Sequence, residues 1–227
     1  MSVNFIVWGV MGLSVIMVLE PPDHQPPREP EWRAELLQRA KVDQAARERL
    51  VSILKQPADR RSDLKAAAQE VTRIDQDNLN WLKTVLAKRG WPLISQVGED
   101  GANAAWLLIQ HADSDPAFQR ACLDQITRLP KTEVSQSNVA YLTDRVLIAQ
   151  GKPQRFGTQF RLLNGRLQPR PIENPEIVDQ LRAEMGLSSL AEYAALLERE
   201  FGLAPQTPTP TPKPSQPDSP LTKSDSP

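Results

Sequence analysis

Residues 64–90 read LKAAAQEVTRIDQDNLNWLKTVLAKRG. Leu64, Ala67, Val71, Ile74, Trp81, Leu82, Val85 and Leu86 recur at three- and four-residue spacing. That period places apolar side chains on one face of an α-helix. Lys88 and Arg89 suit the negative end of the helix dipole, and Gly90 is a natural residue for the left-handed position that stops a helix. Asn78 falls on the apolar side of this stripe, where a polar side chain must find partners. One long amphipathic helix of this kind predicts a helical core and asks for others to cover it.

The neighbouring segments supply them. Trp32, Leu36, Leu37, Ala40, Leu50, Ile53 and Leu54 predict a helix ending before Pro57. Gly90 to Gly101 reads as a loop, followed by a helix from about Ala102 to His111. Asp115-Pro116 is an N-cap followed by proline in the first turn, and opens a helix running to about Leu129. A further helix spans Asn138 to Gln150, with Val139, Leu142, Val146 and Ala149 on its apolar face. The period then changes. Between Phe156 and Ile172, Asn164-Gly165 separates two extended runs and predicts a short hairpin with a type I′ turn. Asn174-Pro175 opens a helix towards Met185, and Ser188 or Ser189 caps a last one carrying Leu190, Tyr193, Leu196, Leu197 and Phe201. The expected fold is mostly α, an orthogonal helical bundle with a short β-hairpin.

The ends differ from this middle. Residues 1–20 include the uncharged run Val3 to Leu19, just long enough to cross a thin bilayer. No basic residue precedes it and no small-residue cleavage site follows it, so it reads as an uncleaved single-pass anchor, with an atypical signal peptide as the alternative. Residues 21–30 are too proline-rich for helix or sheet and form a stiff spacer, in which His24 reads as solvated. Residues 31–203 are the helical domain, and 204–227 a Pro-rich tail with almost nothing to bury. The expected location is a cell membrane. Arg28 and Arg33 after the span lean towards a cytoplasmic domain, while the spacer suits an extracytoplasmic one equally.

Composition narrows the function. A net charge of -1 and no basic face exclude nucleic acid as a partner. The single cysteine, Cys122, excludes an intrachain disulfide and reads as a small buried residue. With His111 the one histidine in the folded part and Cys122 the one cysteine, no ordinary zinc site forms; a carboxylate metal site stays open, yet no calcium-loop spacing occurs, and the expectation is neither metal nor cofactor. "GEDG" at 98–101 lacks the lysine of a phosphate loop. Neither a nucleophile elbow nor a dinucleotide fingerprint occurs.

Polar residues gather in four stretches: Gly90-Trp91-Pro92, Gln110-His111-Ala112-Asp113, Asp144-Arg145, and Gly151 to Gln159. His111 changes charge near neutral pH, and Asp113 or Asp144 could orient its ring. Arg145 offers a planar fork for a carboxylate or phosphate. Gln110, Gln154 and Gln159 offer paired donors and acceptors, and Trp91 or Trp106 a flat wall. The candidate catalytic residues are therefore His111, Asp144 and Arg145. Trp91, Gln110, Asp113, Gln154 and Gln159 are the candidate ligand contacts. A structural reading stands beside this one. A histidine can simply finish a helix, and glutamines can satisfy a hairpin's backbone.

The pattern Asp75-x-x-Asn78, Gly90-Trp91-Pro92, Gly98, Gln110-His111-Ala112-Asp113, Asp144-Arg145, Gly151-x-x-Gln154 and Phe156-Gly157-Thr158-Gln159 resembles a bacterial family catalogued as domain of unknown function 6624. The resemblance covers roughly residues 69–193. The family often has Tyr at the place of Phe156. It implies a domain and no mechanism. Two functions follow from the residues. One is a membrane-tethered domain acting on or binding a small anionic or amide-bearing ligand. The other is a non-catalytic envelope scaffold that recruits a protein through the domain and the Pro-rich tail. A third reading makes the polar cluster a buried network that specifies the bundle.

Overall fold

A computed structural model describes residues 27–57, 59, 61–163 and 166–200. The apolar segment Val3–Leu19, most of the Pro-rich spacer, the Asn164-Gly165 turn and the tail lie outside the described residues. Among the described residues no helix is long and apolar enough to cross a membrane.

The chain is a helical bundle with one two-stranded antiparallel hairpin. Helices α1 (Pro30–Leu54), α2 (Leu64–Arg89) and α3 (Ile94–Gln110) come first, then α4 (Pro116–Ile126) and α5 (Gln136–Ala149). Strands β1 (Phe160–Leu163) and β2 (Arg166–Pro169) follow. A 3-10 turn (Pro175–Ile177) leads into α6 (Val178–Glu184), and α7 (Leu190–Glu200) closes the described chain.

α1 packs along α3 and α2, and α4 lies against α5. Trp32, Leu36, Leu82, Trp91, Val97, Leu108, Ile109, Ile126 and Leu142 form the principal core. Each such side chain contributes roughly 1.5–3 kcal/mol on leaving water. Cys122 belongs to this core, and its burial pushes the thiol up to about 12. A second cluster of Trp106, Tyr141, Phe160, Leu167, Tyr193 and Leu197 seats the hairpin and α7 on α3 and α5. Its rings meet edge to face, Trp106 on Tyr141 at 5.7 Å and Tyr141 on Tyr193 at 5.9 Å between centroids.

The predicted helix ends hold in three places. Asp115 accepts the Phe118 N–H at 2.9 Å, with Pro116 in the first turn. Gly90 and Gly151 take positive φ after α2 and α5. The strand register pairs Leu163 with Arg166, which leaves residues 164 and 165 to join the strands.

One expectation is overturned. Residues 90–101 are not a loop throughout, because α3 begins at Ile94 and continues through a break at Gly98, where φ is +75°. Gln96 supplies the local reason: its Oε1 accepts the Leu93 N–H at 3.0 Å at the helix start. Outside contacts fix the break. Arg33 on α1 forms an ion pair with Asp100, and Glu29 donates its N–H to the Gln96 carbonyl at 2.9 Å. The last residues before α1 thus dock on α3 rather than standing clear as spacer.

Candidate functional site

The α1 face that meets α2 and α3 carries Trp32, Leu36, Ala40, Asp43 and Arg47 among its buried residues. Spacings of four, four, three and four place them on one side of a helix. Two charges therefore enter the interior at positions where the pattern calls for apolar side chains. They are paired there with residues of α2 and with His111, which ends α3.

His111 is 3% exposed and Asp43 1%. His111 Nδ1 lies 2.9 Å from Asp43 Oδ2 and 3.0 Å from Arg47 Nε. Arg47 also donates to Asp43 Oδ2 at 3.2 Å and reaches Asp75 Oδ1 through Nη2. Nδ1 thus faces a carboxylate and a guanidinium at once. With its proton on Nδ1, the ring donates to Asp43. With its proton on Nε2, Nδ1 accepts from Arg47. Each neutral tautomer has a partner already in place.

Charge states follow from the surroundings. Burial lowers the His111 pKa below its usual range, against the pull of Asp43 and with the help of Arg47 and Arg145, so the ring is neutral at neutral pH. Burial alone would raise Asp43, but the hydrogen bond from His111 and the charge and hydrogen bond of Arg47 outweigh it and leave the carboxyl below its ordinary value. Because His111 is itself neutral, Arg47 is the lasting counter-charge. Asp75 goes the other way. Burial, aided by Asp43 and opposed by Arg47, pushes it up to about 6.

Asp43, Asp75 and His111 offer ligand atoms within 4.8 Å of one another, a spacing open to a metal ion. Arg47 is within hydrogen-bonding reach of all three, so a guanidinium holds the position an ion would take among them.

A second ion pair lies close enough for its arginine to act on His111 through charge. Arg145 Nη1 donates to both oxygens of Asp113, at 2.8 and 3.0 Å. Buried Gln119 ties the turn after α3, with Nε2 donating to the carbonyls of Ile109 and Gln110 at 3.1 Å each and to Asp113 Oδ1 at 3.0 Å. Gln110 Oε1 and Trp106 Nε1, one helical turn apart on α3, are buried with no hydrogen-bond partner among the described residues, as is Asn78 Nδ2 on α2. A cleft of about 180 Å³ between α1 and α2, lined in part by Arg39, Val42, Ile74 and Asn78, opens beside the residues that precede Asp43 and Asp75.

From the expected set the structure pairs Arg145 with Asp113 and brings the Arg145 charge within reach of His111, with Gln110 just before it at the end of α3; it places the others elsewhere. Asp144 is fully buried and accepts the N–H groups of Arg155 (2.7 Å), Phe156 (3.0 Å) and Thr158 (2.9 Å) and the Thr158 hydroxyl (2.9 Å). It fastens the loop after α5. Burial raises its pKa, and those donors oppose the rise. Gln154 does similar work: Nε2 donates to the carbonyls of Gln159 and Arg170, and Oε1 accepts the Gln159 N–H at 2.7 Å. Gln159 turns back on Thr158 Oγ1 at 3.1 Å. Trp91 packs in the principal core. Neither Asp113 nor Asp144 touches the His111 ring in the way expected of an orienting group; Asp43 does.

Asp43 and Arg47 are absent from the sequence reading. The signal was there in the same form that singled out Asn78, a polar residue at a core position of an amphipathic helix.

The model of a family described as "Family of unknown function (DUF6624)" matches residues 30–206. The chain belongs to that family. No curated protein and no solved structure matches it.

Proposed function

We propose that this family member binds a small amide-bearing molecule beside His111 and that His111 moves a proton on it. The observation that carries the reading is the double contact at His111 Nδ1, with Asp43 at 2.9 Å and Arg47 at 3.0 Å. A ring with a ready partner for either tautomer can take a proton at one nitrogen and release it at the other. Groups of opposed titration stand side by side, a histidine held neutral and a carboxyl raised to about 6, which is the pairing that acid–base chemistry near neutral pH requires.

The amide half of the expected ligand class has the better support. Trp106 Nε1 is a buried donor and Gln110 Oε1 a buried acceptor, both without a hydrogen-bond partner among the described residues, on the turn of α3 that leads to His111. An amide presents the complementary acceptor and donor. Unpaired buried groups cost roughly 1–3 kcal/mol each, so they are seldom kept without use.

The test is a ligand-observed NMR screen of small amides against wild type, His111→Gln and Trp106→Phe. The second variant deletes the indole N–H and keeps an aromatic ring. Hits should lose binding in both variants while urea unfolding shows each still folded. Hits that bind all three proteins alike would refute the reading.

A further inference from the structure

We infer that the molecule bound beside His111, a site that rests on the function proposed above, carries a protonated amine as well as its amide. Two observations carry this, one of charge and one of position.

Three carboxylates, Asp43, Asp75 and Asp113, surround two guanidinium groups, Arg47 and Arg145. The Arg145–Asp113 pair is neutral and the Asp43–Arg47–Asp75 group carries one excess negative charge, so among the described partners the carboxylates outnumber the fixed positive charges by one. Arg145 is held by both oxygens of Asp113, and Arg47 is shared among Asp43, Asp75 and His111. Each arginine is already matched, so an incoming anion finds no surplus positive charge to receive it.

Position sharpens the point. Asp43 at 1%, Arg145 at 8% and Arg47 at 10% exposed are the deeper groups. The carboxylates at the outer edge are Asp75 at 19% and Asp113 at 29%. A ligand coming from solvent meets carboxylate oxygens before it meets arginine. An ammonium group there donates to acceptors and supplies the missing charge. A phosphate or carboxylate would face repulsion at the edge and competition behind it. A metal ion is the weaker fit, because it would have to displace Arg47 from all three of its partners, whereas an ammonium adds at the edge and displaces nothing.

Glycinamide, acetamide and inorganic phosphate separate the cases. Each is titrated to about 100 mM at constant ionic strength, since probes this small bind at best in the millimolar range. The readout is the His111 ring signal of the full chain by NMR, with His24 as the internal control for non-specific shifts. At neutral pH much of the glycinamide carries a protonated amine. Glycinamide should move the His111 signal with an apparent Kd at least tenfold below that of acetamide. Asp75→Asn and, separately, Asp113→Asn should each reduce that advantage to less than threefold. Equal responses to glycinamide and acetamide would overturn the amine and leave the amide reading standing. Phosphate acting alone would overturn both ligand assignments. A His111 signal unmoved by all three would overturn the amine together with the site itself.

Discussion

Asp43 Oδ2 lies 2.9 Å from His111 Nδ1, although 68 residues separate them in the chain. The pair exists only when α1 is docked on α3. Arg47, one turn further along α1, fixes the same ring from a second side at 3.0 Å. Helix docking and the protonation of His111 are therefore one linked equilibrium.

His111 is the first place to test that linkage. Its pKa should fall below the ordinary value of 6.5 in the folded chain. Asp43→Asn removes an influence that raises it and should lower it further. Arg47→Met removes one that lowers it and should raise it. Opposite movements in an NMR pH titration are the expected result. The same direction in both variants would mean that the two side chains act only through general loosening of the fold.

Asp75 predicts a pH dependence of known sign. Its carboxyl is raised from 3.8 to about 6, so between those values the folded state holds the proton more tightly than the unfolded chain. Stability is thereby lost as pH rises through that window. Against Asp75→Asn, wild type should lose about 1–2 kcal/mol between pH 4 and pH 7, an amount reduced by partial exposure. Urea unfolding of both proteins at the two pH values measures it. A constant difference would show that Asp75 ionises as it does in water.

Asp144 should matter more to the loop than to any ligand. Asp144→Asn loses the charge behind bonds from Arg155, Phe156 and Thr158 and turns an acceptor towards donors as an NH2 group. A loss of about 3 kcal/mol is expected in urea unfolding. Amide exchange at residues 155, 156 and 158 should accelerate before that of α3. Unchanged protection at those three amides would remove Asp144 from this role.

Gly157 has φ +67°, and a Cβ there would lie 2.8 Å from Leu190 Cδ1 and 3.3 Å from Ile172 Cδ1. Gly157→Ala should cost about 2–4 kcal/mol, from the left-handed backbone and the overpacking together. Gly151 also has positive φ but meets nothing within 4 Å, so Gly151→Ala should cost only the backbone part, about 1–2 kcal/mol. Thermal unfolding of the pair separates the two contributions.

The helices were legible where apolar spacing was regular, as in α2 and α5, and where a cap was strong, as at Asp115-Pro116. The start of α3 was not. Gly98 and Gly101 weaken its pattern, and the contacts that hold the break come from Arg33 and Glu29, 67 residues away on the chain. The site was half legible. His111, Asp113 and Arg145 stood out as polar residues near helix ends or in turns. Asp43 and Arg47 sat inside a helix among ordinary surface charges, and only the docking of α1 decides which charges face inward. Adjacent residues also part company. Asp144 turns to the loop after α5 and Arg145 to Asp113, as the rotation of about 100° per residue along a helix requires.

The lone thiol deep in the bundle gives the molecule a built-in clock. Cys122 is packed against the principal core and its thiol is pushed to about 12, so it is both shielded and almost wholly un-ionised in the native state. A thiol reagent can modify it only while the core is open. Each labelled molecule counts one opening event, with no second cysteine to confuse the tally. Labelling rates with and without a candidate ligand would then show how far that ligand keeps the bundle shut, before any reaction is known.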